Sequence, residues 1–349
     1  MFMRNSWYVA AWANEVEGDV LLSRKILGDQ VVLFRQQNGI AAALIDRCSH
    51  RFAPLSMGRR EGDCIRCMYH GLVFAADGKC VEEPGRPRPS PQTSIRSYPL
   101  VERYKQLWIW MGDVALADPA LIPDCHWQDD PAWRSIPAYI HYNADYRLIM
   151  DNQLDFSHLS FVHEGTLGGS KRIAETKPKV EVIDGNLRLT RWYLNEPEIA
   201  PYLKGVVNLQ GPIDRWHIYD WSIAGNVLNM DSGSAPAGTG APQGHRVAEA
   251  LQFHATQCTT PEDETHSHFF WTYAHNFNLE DGAFTRALAD RIQIGFDEDR
   301  RTIEAQQKVV NMSGNDKMAY IYVDAALTQG RRLLEARIAA EQSAACGSA

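Results

Sequence analysis

The sequence lacks long apolar runs and clusters of positive charge. None of its 349 residues belongs to an uninterrupted apolar stretch near the ~18 residues of a membrane span, so we expect no membrane segment. The formal net charge is −8 and no basic run occurs, which argues against nucleic acid as the main partner. Apolar residues (45%) and charged residues (22%) occur in the proportions of a soluble globular protein.

Three further absences concern targeting, disulfides and nucleotides. Residues 1–19 contain no long apolar core and no cleavage-site pattern, so we expect no signal peptide and a cytoplasmic protein. The seven cysteines are unevenly spaced, which favours reduced thiols or metal ligands over a disulfide framework. No Gly-rich fingerprint for flavin or nucleotide is present, so any redox function needs electrons from a separate protein.

We predict an α+β protein with two domains. Residues 1–125 contain short β-rich runs separated by turns, as at Trp7–Trp12, 30–35, 41–46 and 107–111, which predicts an antiparallel β domain.

The second predicted domain, residues 126–349, mixes strands and long helices. Residues 180–194 alternate as two strands around an Asp-Gly turn. An antiparallel sheet flanked by helices can enclose an apolar pocket of ligand size. Further strands are predicted at 215–220, 247–256 and 268–274, and helices at 283–310 and 320–342.

The first domain contains two Cys-His pairs. Cys48-Ser-His50 is followed, after sixteen residues, by Cys67-Met-Tyr-His70-Gly. Two thiolates on one iron and two imidazoles on the other describe a Rieske [2Fe–2S] centre. The alternative is a structural zinc ion, to which Cys64 could supply a further thiolate.

A second cluster of chemically active residues lies at 151–163, read as DNQLDFSHLSFVH. His163 comes five residues after His158, so the two side chains reach one point only if the helix widens or ends between them. Two neutral imidazoles suit ferrous iron, and the third ligand should then be a carboxylate.

Asp299 offers that carboxylate. It lies on the apolar stripe of the predicted helix 283–310, where a carboxylate is out of place unless it binds something. The alternative is a buried salt bridge to Arg291 or Arg300. The neighbouring Glu298 lies off the stripe and is expected to be solvated.

The sequence resembles the Rieske non-haem iron oxygenases. The resemblance rests on these motifs and on two further stretches, Cys-Ser-His-Arg-Phe-Ala-Pro-Leu at 48–55 and Leu-Trp-Ile-Trp-Met-Gly-Asp at 107–113. The resemblance extends to about residue 332 and is nearest to the monooxygenase and demethylase branches that act on toluenesulfonate, vanillate and dicamba. It implies an oxygenase component with a Rieske domain followed by a catalytic domain.

The resemblance also implies roles for individual residues. Asn152 lies beside the iron without being a firm ligand. Asp155 bridges a cluster histidine of one subunit to an iron histidine of the next, in a head-to-tail homotrimer; a local cap or salt bridge is its alternative role. The resemblance places the [2Fe–2S] ligands at Cys48, His50, Cys67 and His70, and the ligands of a mononuclear Fe(II) at His158, His163 and Asp299.

The reaction that the resemblance implies is oxidation of the methyl or O-methyl group of a small aromatic acid, of the aryl sulfonate or methoxybenzoate type. O2 is the co-substrate, and a flavin- and ferredoxin-type reductase supplies electrons from NAD(P)H. Two alternatives stay open. One is dihydroxylation of an aromatic ring, and the other is a non-catalytic Rieske electron carrier.

The sequence says less about the substrate pocket. Asn229 and Met230 lie where relatives contact substrate, and His254 lies on a strand beside an apolar run. Arg191 and Arg215 are candidates for binding a substrate anion. Other histidines, His217 among them, lack ligand spacing and are expected at the surface or in the core. No role is predicted for Asp151, Cys64 or Cys80.

Overall fold

The computed structural model describes residues 1–168, 170–314 and 316–347, so the last two residues of the predicted second domain lie outside the described part. The chain forms two compact units. The first comprises Met1–Pro123 with Thr260–Asp263, and the second Asp124–Thr259 with Glu264–Ala349. The predicted α+β architecture is confirmed. The functional division at residues 125 and 126 stays a prediction.

The first unit consists of three small sheets. Their strand orders are β1-β11-β10, β2-β3-β4-β9 and β5-β6-β7-β8. The strands are β1 (Trp7–Trp12), β2 (Leu22–Ile26), β3 (Asp29–Arg35), β4 (Ala41–Ile45), β5 (Arg59–Glu61), β6 (Cys64–Arg66), β7 (Val73–Ala75), β8 (Cys80–Glu82), β9 (Ser97–Tyr98), β10 (Leu100–Arg103) and β11 (Gln106–Trp110).

The second unit contains one seven-stranded sheet, in the order β12-β18-β17-β16-β15-β14-β13. Its strands are β12 (Ala138–Tyr142), β13 (Lys179–Ile183), β14 (Asn186–Glu196), β15 (Ile213–Ser222), β16 (Val227–Pro236), β17 (Leu251–Pro261) and β18 (Ser267–His275). Its helices are α1 (Tyr146–Leu154), α2 (Arg172–Glu175), α3 (Gly282–Met312) and α4 (Ala325–Gly347). No helix in the described ranges is both long and apolar enough to cross a bilayer.

Two predicted helices differ from the structure. Helix α4 begins at Ala325, five residues later than expected, and Thr328 N–H donates to Asp324 O at 2.9 Å at its start. The Asp324 carboxylate accepts from Ile321 N–H at 2.8 Å, in the turn before the helix. The segment 151–163 is not one helix with a widened turn. Helix α1 ends at Leu154, Asp155 is extended (φ −126°, ψ 101°), and a 3₁₀ helix follows at Phe156–Ser160.

Asp155 causes this break in the helix. Its carboxylate accepts hydrogen bonds from Ser157 N–H at 2.8 Å and from Ser157 Oγ at 2.6 Å, which caps the 3₁₀ helix. An aspartate that bonds the backbone two residues ahead competes with helical hydrogen bonding. The break directs the side chains on its two sides toward one point, where the site described below forms.

Candidate active site

The two predicted cluster loops share one backbone pattern. In the loop after β4, Cys48 N–H donates to the carbonyl five residues later at 2.9 Å, and Phe52 N–H donates to Cys48 O at 3.0 Å. In the loop between β6 and β7, Cys67 N–H and Gly71 N–H make the equivalent bonds at 2.8 and 3.1 Å. Phe52 and Gly71 both have positive φ, 58° and 80°. The two loops therefore share one backbone turn, although the histidine follows its cysteine by two residues in the first loop and by three in the second.

The four side chains separate by chemistry. The thiols of Cys48 and Cys67 are in the apolar core, each residue 2% exposed, whereas His50 and His70 are exposed with ring centroids 4.5 Å apart. Burial, reinforced by the neighbouring Cys67 thiol, raises the pKa of Cys48 to about 11. A thiolate pair at this place therefore needs a cationic partner, which metal ions provide.

The donor geometry distinguishes the two predicted kinds of cluster. One tetrahedral zinc ion draws its ligand atoms to roughly 3.3–3.8 Å from each other. Among the described residues, no three of Cys48, His50, Cys67 and His70 bring their ligand atoms within 4.8 Å of one another, and Cys64 completes no such group. Thiols on the buried side and imidazoles on the exposed side fit a two-iron centre better than a single ion.

In the second unit, three side chains meet at one point. His163 Nε2 lies 3.1 Å from Asp299 Oδ1, and His158 Nε2 lies 3.4 Å from the same oxygen. Asn152, in the last turn of α1, donates from Nδ2 to that oxygen at 2.8 Å. The side chains of His163 and Asp299 are 0% and 7% exposed. Neither Arg291 nor Arg300 contacts Asp299, so the alternative salt bridge does not form.

The outer ring nitrogens of both histidines are held by other acceptors. His158 Nδ1 lies 2.5 Å from the main-chain oxygen of Asp155, so this nitrogen carries the hydrogen and Nε2 faces Asp299 with a lone pair. His163 Nδ1 lies 2.7 Å from Glu298 Oε2, which also accepts from Thr166 Oγ1 at 2.6 Å.

Glu298 corrects a prediction. Instead of being solvated, its carboxylate lies 23% exposed beside His163. The 3.6-residue period of α3 gives no signal for this contact, because the contact depends on where the loop after His163 runs. His163 therefore has a carboxylate at each nitrogen. A metal ion between Nε2 and Asp299 could bind both groups, while Glu298 fixes the orientation of the His163 ring.

The pKa directions agree with two kinds of histidine environment. Burial lowers the pKa of His158, which keeps its imidazole neutral and able to bind a metal. For His163 burial acts in the same direction, but hydrogen bonds to Asp299 and Glu298 outweigh it and raise the pKa. Two imidazoles and one carboxylate on neighbouring faces are the donor set that suits ferrous iron.

The side chain of Asp155 contacts residues of its own chain. Besides the cap to Ser157, its Oδ1 lies 3.5 Å from Nη2 of the buried Arg191, and its side chain is 17% exposed. Its main-chain oxygen, rather than its carboxylate, holds His158. The bridging role of Asp155 between subunits stays a prediction.

A cavity adjoins the three converging side chains, with about 570 Å³ of empty space including the part that is open to solvent. Most of its lining surface is apolar, and side chains such as Phe156, Leu159 and Phe296 contribute to it. Arg215 and His217 also line it. From the sequence, Arg215 was only one of two candidates for binding a substrate anion, and His217 was expected at the surface or in the core. Neither residue belongs to a motif with characteristic spacing.

Of the three predicted pocket residues, Met230 lies on the strand face that lines the cavity, and Asn229 and His254 lie on the opposite face of the sheet. Met230 on β16 lines the cavity. Asn229 is on the opposite face, where its Nδ2 donates to Asp124 O at 3.0 Å. His254 pairs with Asp231 across the sheet and packs between Trp127 and Trp133, with ring centroids 4.5 and 4.4 Å away. Because side chains alternate along a strand, Asn229 and His254 do not reach the cavity.

Two protein-family models match this chain. Residues 6–99 match the family model for the Rieske [2Fe-2S] domain. Residues 142–340 match the model for the vanillate O-demethylase oxygenase C-terminal domain.

Individual relatives cover nearly the whole chain. The chain is 49% identical over 344 residues to the iron–sulfur subunit of the toluene-4-sulfonate monooxygenase system of Comamonas testosteroni, covering 98% of each sequence. It is 35% identical to the vanillate O-demethylase oxygenase subunit of Pseudomonas sp. strain HR199, covering 99% of this chain and 97% of that one.

A solved structure of dicamba monooxygenase bound to 3,6-dichlorosalicylic acid superposes with a TM-score of 0.90 at 31% identity, covering 98% of this chain and 99% of that one. A structure of dicamba monooxygenase with non-haem iron and dicamba superposes with a TM-score of 0.81 at the same identity and coverage.

Proposed function

We propose a specific reaction for this chain, which belongs to the Rieske non-haem iron oxygenases and is the oxygenase component of a monooxygenase system. The chain oxidises the methyl or O-methyl group of an aromatic acid of the aryl sulfonate or methoxybenzoate type. The observation that carries the proposal is the convergence of His158, His163 and Asp299 beside a largely apolar cavity. The named activities of the toluenesulfonate and vanillate relatives support the substrate class.

Members of this family contain a [2Fe–2S] cluster and a mononuclear iron, and use O2 with electrons from a separate reductase. We assign the cluster to Cys48, His50, Cys67 and His70, and the iron to the His158, His163 and Asp299 group. When bound, the cluster supplies electron relay and the iron supplies oxygen activation. No Gly-rich nucleotide site is present in the sequence, so a flavin- and ferredoxin-type reductase delivers the electrons of NAD(P)H.

The chain's own residues orient the reaction. Glu298 and the Asp155 carbonyl fix the two imidazole rings, so that both Nε2 atoms are directed at one point. Asn152 donates to Asp299 Oδ1 and fixes the carboxylate. The apolar walls place a substrate methyl group beside this point and exclude water.

For the assembly, we propose a homotrimer in the cytoplasm, in which Asp155 of one subunit connects to the cluster of its neighbour. The resemblance to trimeric members of the family supports this arrangement. Such a closed head-to-tail ring uses one interface repeatedly.

Product analysis tests the reaction. The holoenzyme with a compatible reductase and NADH would be given 4-toluenesulfonate and 4-methoxybenzoate under O2. An aryl methyl group, O2, two electrons and two protons give a benzylic alcohol and water, and an O-methyl group gives a phenol and formaldehyde. Asp299→Ala should abolish both products while the visible absorption of the cluster survives.

Other outcomes contradict the proposal. A cis-dihydrodiol would assign the chain to ring dihydroxylation. Two irons per chain, with no product from any methyl arene, would indicate an electron carrier. Intact turnover by Asp299→Ala would reject the iron assignment.

A further inference from the structure

We propose that Arg215 binds the oxyanion of the aromatic substrate and selects aryl anions over neutral arenes of the same shape. This inference rests on the proposed function, because it concerns the same cavity. It names the specificity residue and the chemical group that this residue recognises.

The position of Arg215 on its strand is unusual for a cation. Alternate residues of β15 form a buried face in which every member is at most 6% exposed, and Arg215 is the 6% member. The others are Ile213, His217, Tyr219 and Trp221. A charged side chain on such a face is costly unless its charge is compensated.

Within the described residues, no carboxylate forms an ion pair with Arg215. Nη1 of Arg215 donates to Gly168 O at 3.0 Å, Nη2 donates to Leu167 O at 3.0 Å, and Nη2 lies 3.3 Å from His217 Nε2. All three partners are neutral, and no carboxylate of the described chain lies within 4.0 Å of the guanidinium, whereas Arg188 pairs with Asp220 at 2.6 Å. A guanidinium has five N–H groups, so two remain for a ligand.

His217 strengthens this arrangement. Burial, followed by the charges of Arg215 and Arg191, holds the pKa of His217 well below its usual value, so the imidazole is neutral. Because arginine only donates, His217 Nε2 is the acceptor, and its Nδ1 lies 3.3 Å from the hydroxyl of Tyr193. His217 thus orients the guanidinium without cancelling its charge.

Arg215 is fixed relative to the iron-binding side chains. The carbonyls of Leu167 and Gly168 belong to the loop that follows His163, and Gly168 N–H donates to His163 O at 2.9 Å. Arg215 lines the same cavity as His163 and Asp299. An arene in this cavity can therefore present an oxyanion to the guanidinium while its methyl group faces the metal-binding side chains.

The ligand group is a sulfonate or a carboxylate. The two unused N–H groups of Arg215, one on Nε and one on Nη1, can each donate to an oxygen of either group. A neutral substituent of the same size leaves the buried cation uncompensated, so discrimination by charge should exceed discrimination by shape.

The first experiment uses the wild-type holoenzyme. Calorimetric titration would compare 4-toluenesulfonate with its neutral isostere 4-tolyl methyl sulfone, and 4-methylbenzoate with its methyl ester. We expect each anion to bind at least about 30-fold more tightly than its neutral partner. Equal affinities would overturn the inference.

Variants locate the effect. Arg215→Met should weaken sulfonate binding about 100-fold and change sulfone binding less than about 3-fold. Arg215→Lys keeps the charge but not the planar group held by the Leu167 and Gly168 carbonyls, and should weaken sulfonate binding about 10-fold. Arg188→Met removes one positive charge from the adjacent strand outside the cavity and should change neither affinity. If Arg215→Met does not fold, the lysine variant carries the comparison.

The failure of this inference differs from the failure of the proposed function. If the wild-type enzyme oxidises methyl arenes but Arg215→Met binds sulfonate as tightly as the wild type, Arg215 is not the anion site while the reaction stands. If the wild-type enzyme binds neither anion nor sulfone and oxidises no methyl arene, the proposed function fails, and the inference fails with it.

Discussion

At the scale of single residues, two adjacent carboxylates in α3 serve one histidine from opposite sides. Asp299 faces His163 Nε2 and Glu298 faces Nδ1, although neighbours on a helix point about 100° apart. The His163 ring lies between the two carboxylates, so each of its nitrogens contacts one of them. Asp299 was predictable because it interrupts an apolar stripe. Glu298 was not predictable, because a glutamate that lies off the apolar stripe of a helix is normally solvated.

Glu298→Gln should weaken iron binding by about 10–100-fold, because a ligand histidine loses the carboxylate that orients it and raises its basicity. The measurement is iron content during titration with a chelator, with the visible absorption of the cluster as an internal reference. Asp297→Asn is the matched control, since Asp297 pairs with Arg300 at 3.1 Å away from the site. Iron retention equal to wild type would show that Glu298 does not position His163.

His217 predicts a pH dependence of stability. Burial and the nearby arginines keep its pKa low in the folded protein, whereas an unfolded histidine titrates near about 6.5. Below that pH the unfolded chain takes up a proton that the folded chain does not, so stability falls with decreasing pH. His217→Gln should remove up to about 1.4 kcal/mol of this loss per pH unit. Melting curves from pH 7 to 5 measure it, and parallel slopes for the two proteins would contradict it.

At the scale of elements, an ion pair joins α4 to α1. Arg331 Nε donates to Asp151 Oδ1 at 2.8 Å, and Arg331 Nη2 donates to Asp151 Oδ2. Burial raises the pKa of Asp151 even though Arg331 acts in the opposite direction, so the carboxylate is costly to bury. The pair gives a structural role to Asp151, for which the sequence suggested none.

Arg331→Met should therefore lower Tm by about 5 °C, because it leaves a buried carboxylate without its partner. Replacing both partners, as in Arg331→Met with Asp151→Leu, should recover most of this loss, since an apolar pair avoids the desolvation cost. The neighbouring Arg332 is exposed, and Arg332→Met should leave Tm unchanged. A double variant less stable than Arg331→Met would contradict the explanation.

Elements with a strong period were predictable from sequence, and irregular ones were not. The β13–β14 hairpin and helix α3 match their predicted positions within about two residues. Strand β16 was missed, because its sequence VLNMDSGSAP contains small and polar residues that only the finished sheet buries. The break at Asp155 was missed because a side-chain cap outweighs helical periodicity there.

The site was predictable to the extent that its chemistry is local in sequence. Cys-His pairs and closely spaced histidines indicate metal binding, because their residue types and spacing are typical of metal ligands. Arg215 reaches the cavity from a strand far from both, and it is held by carbonyls of another loop. Such contacts depend on tertiary packing, which the period of a strand does not encode.

At the scale of the whole molecule, the two proposed metal sites belong to different compact units. Residues assigned to the cluster belong to the first unit, and residues assigned to the iron belong to the second. Asp155 is the residue proposed to connect the centres of neighbouring subunits.

Asp155→Asn should retain both metals, because asparagine can still cap the 3₁₀ helix and the main-chain oxygen still holds His158. Single-turnover electron transfer from the reduced cluster should nevertheless slow by about 100-fold or more, since the amide cannot accept from two imidazoles as a carboxylate does. Ser157→Ala, which removes the cap donor Oγ but keeps the carboxylate, is the control. Unchanged rates in Asp155→Asn would reduce Asp155 to a local cap.

In the proposed binding mode, Arg215 on β15 contacts a substituent that the proposed reaction leaves unchanged. Hydroxylation converts the methyl group, whereas the sulfonate or carboxylate keeps its charge and its contact with Arg215. Product is then held almost as firmly as substrate, and only the new hydroxyl, placed against apolar walls, favours departure. The benzylic alcohol should accordingly act as a competitive inhibitor, with an inhibition constant close to the KM of its parent compound.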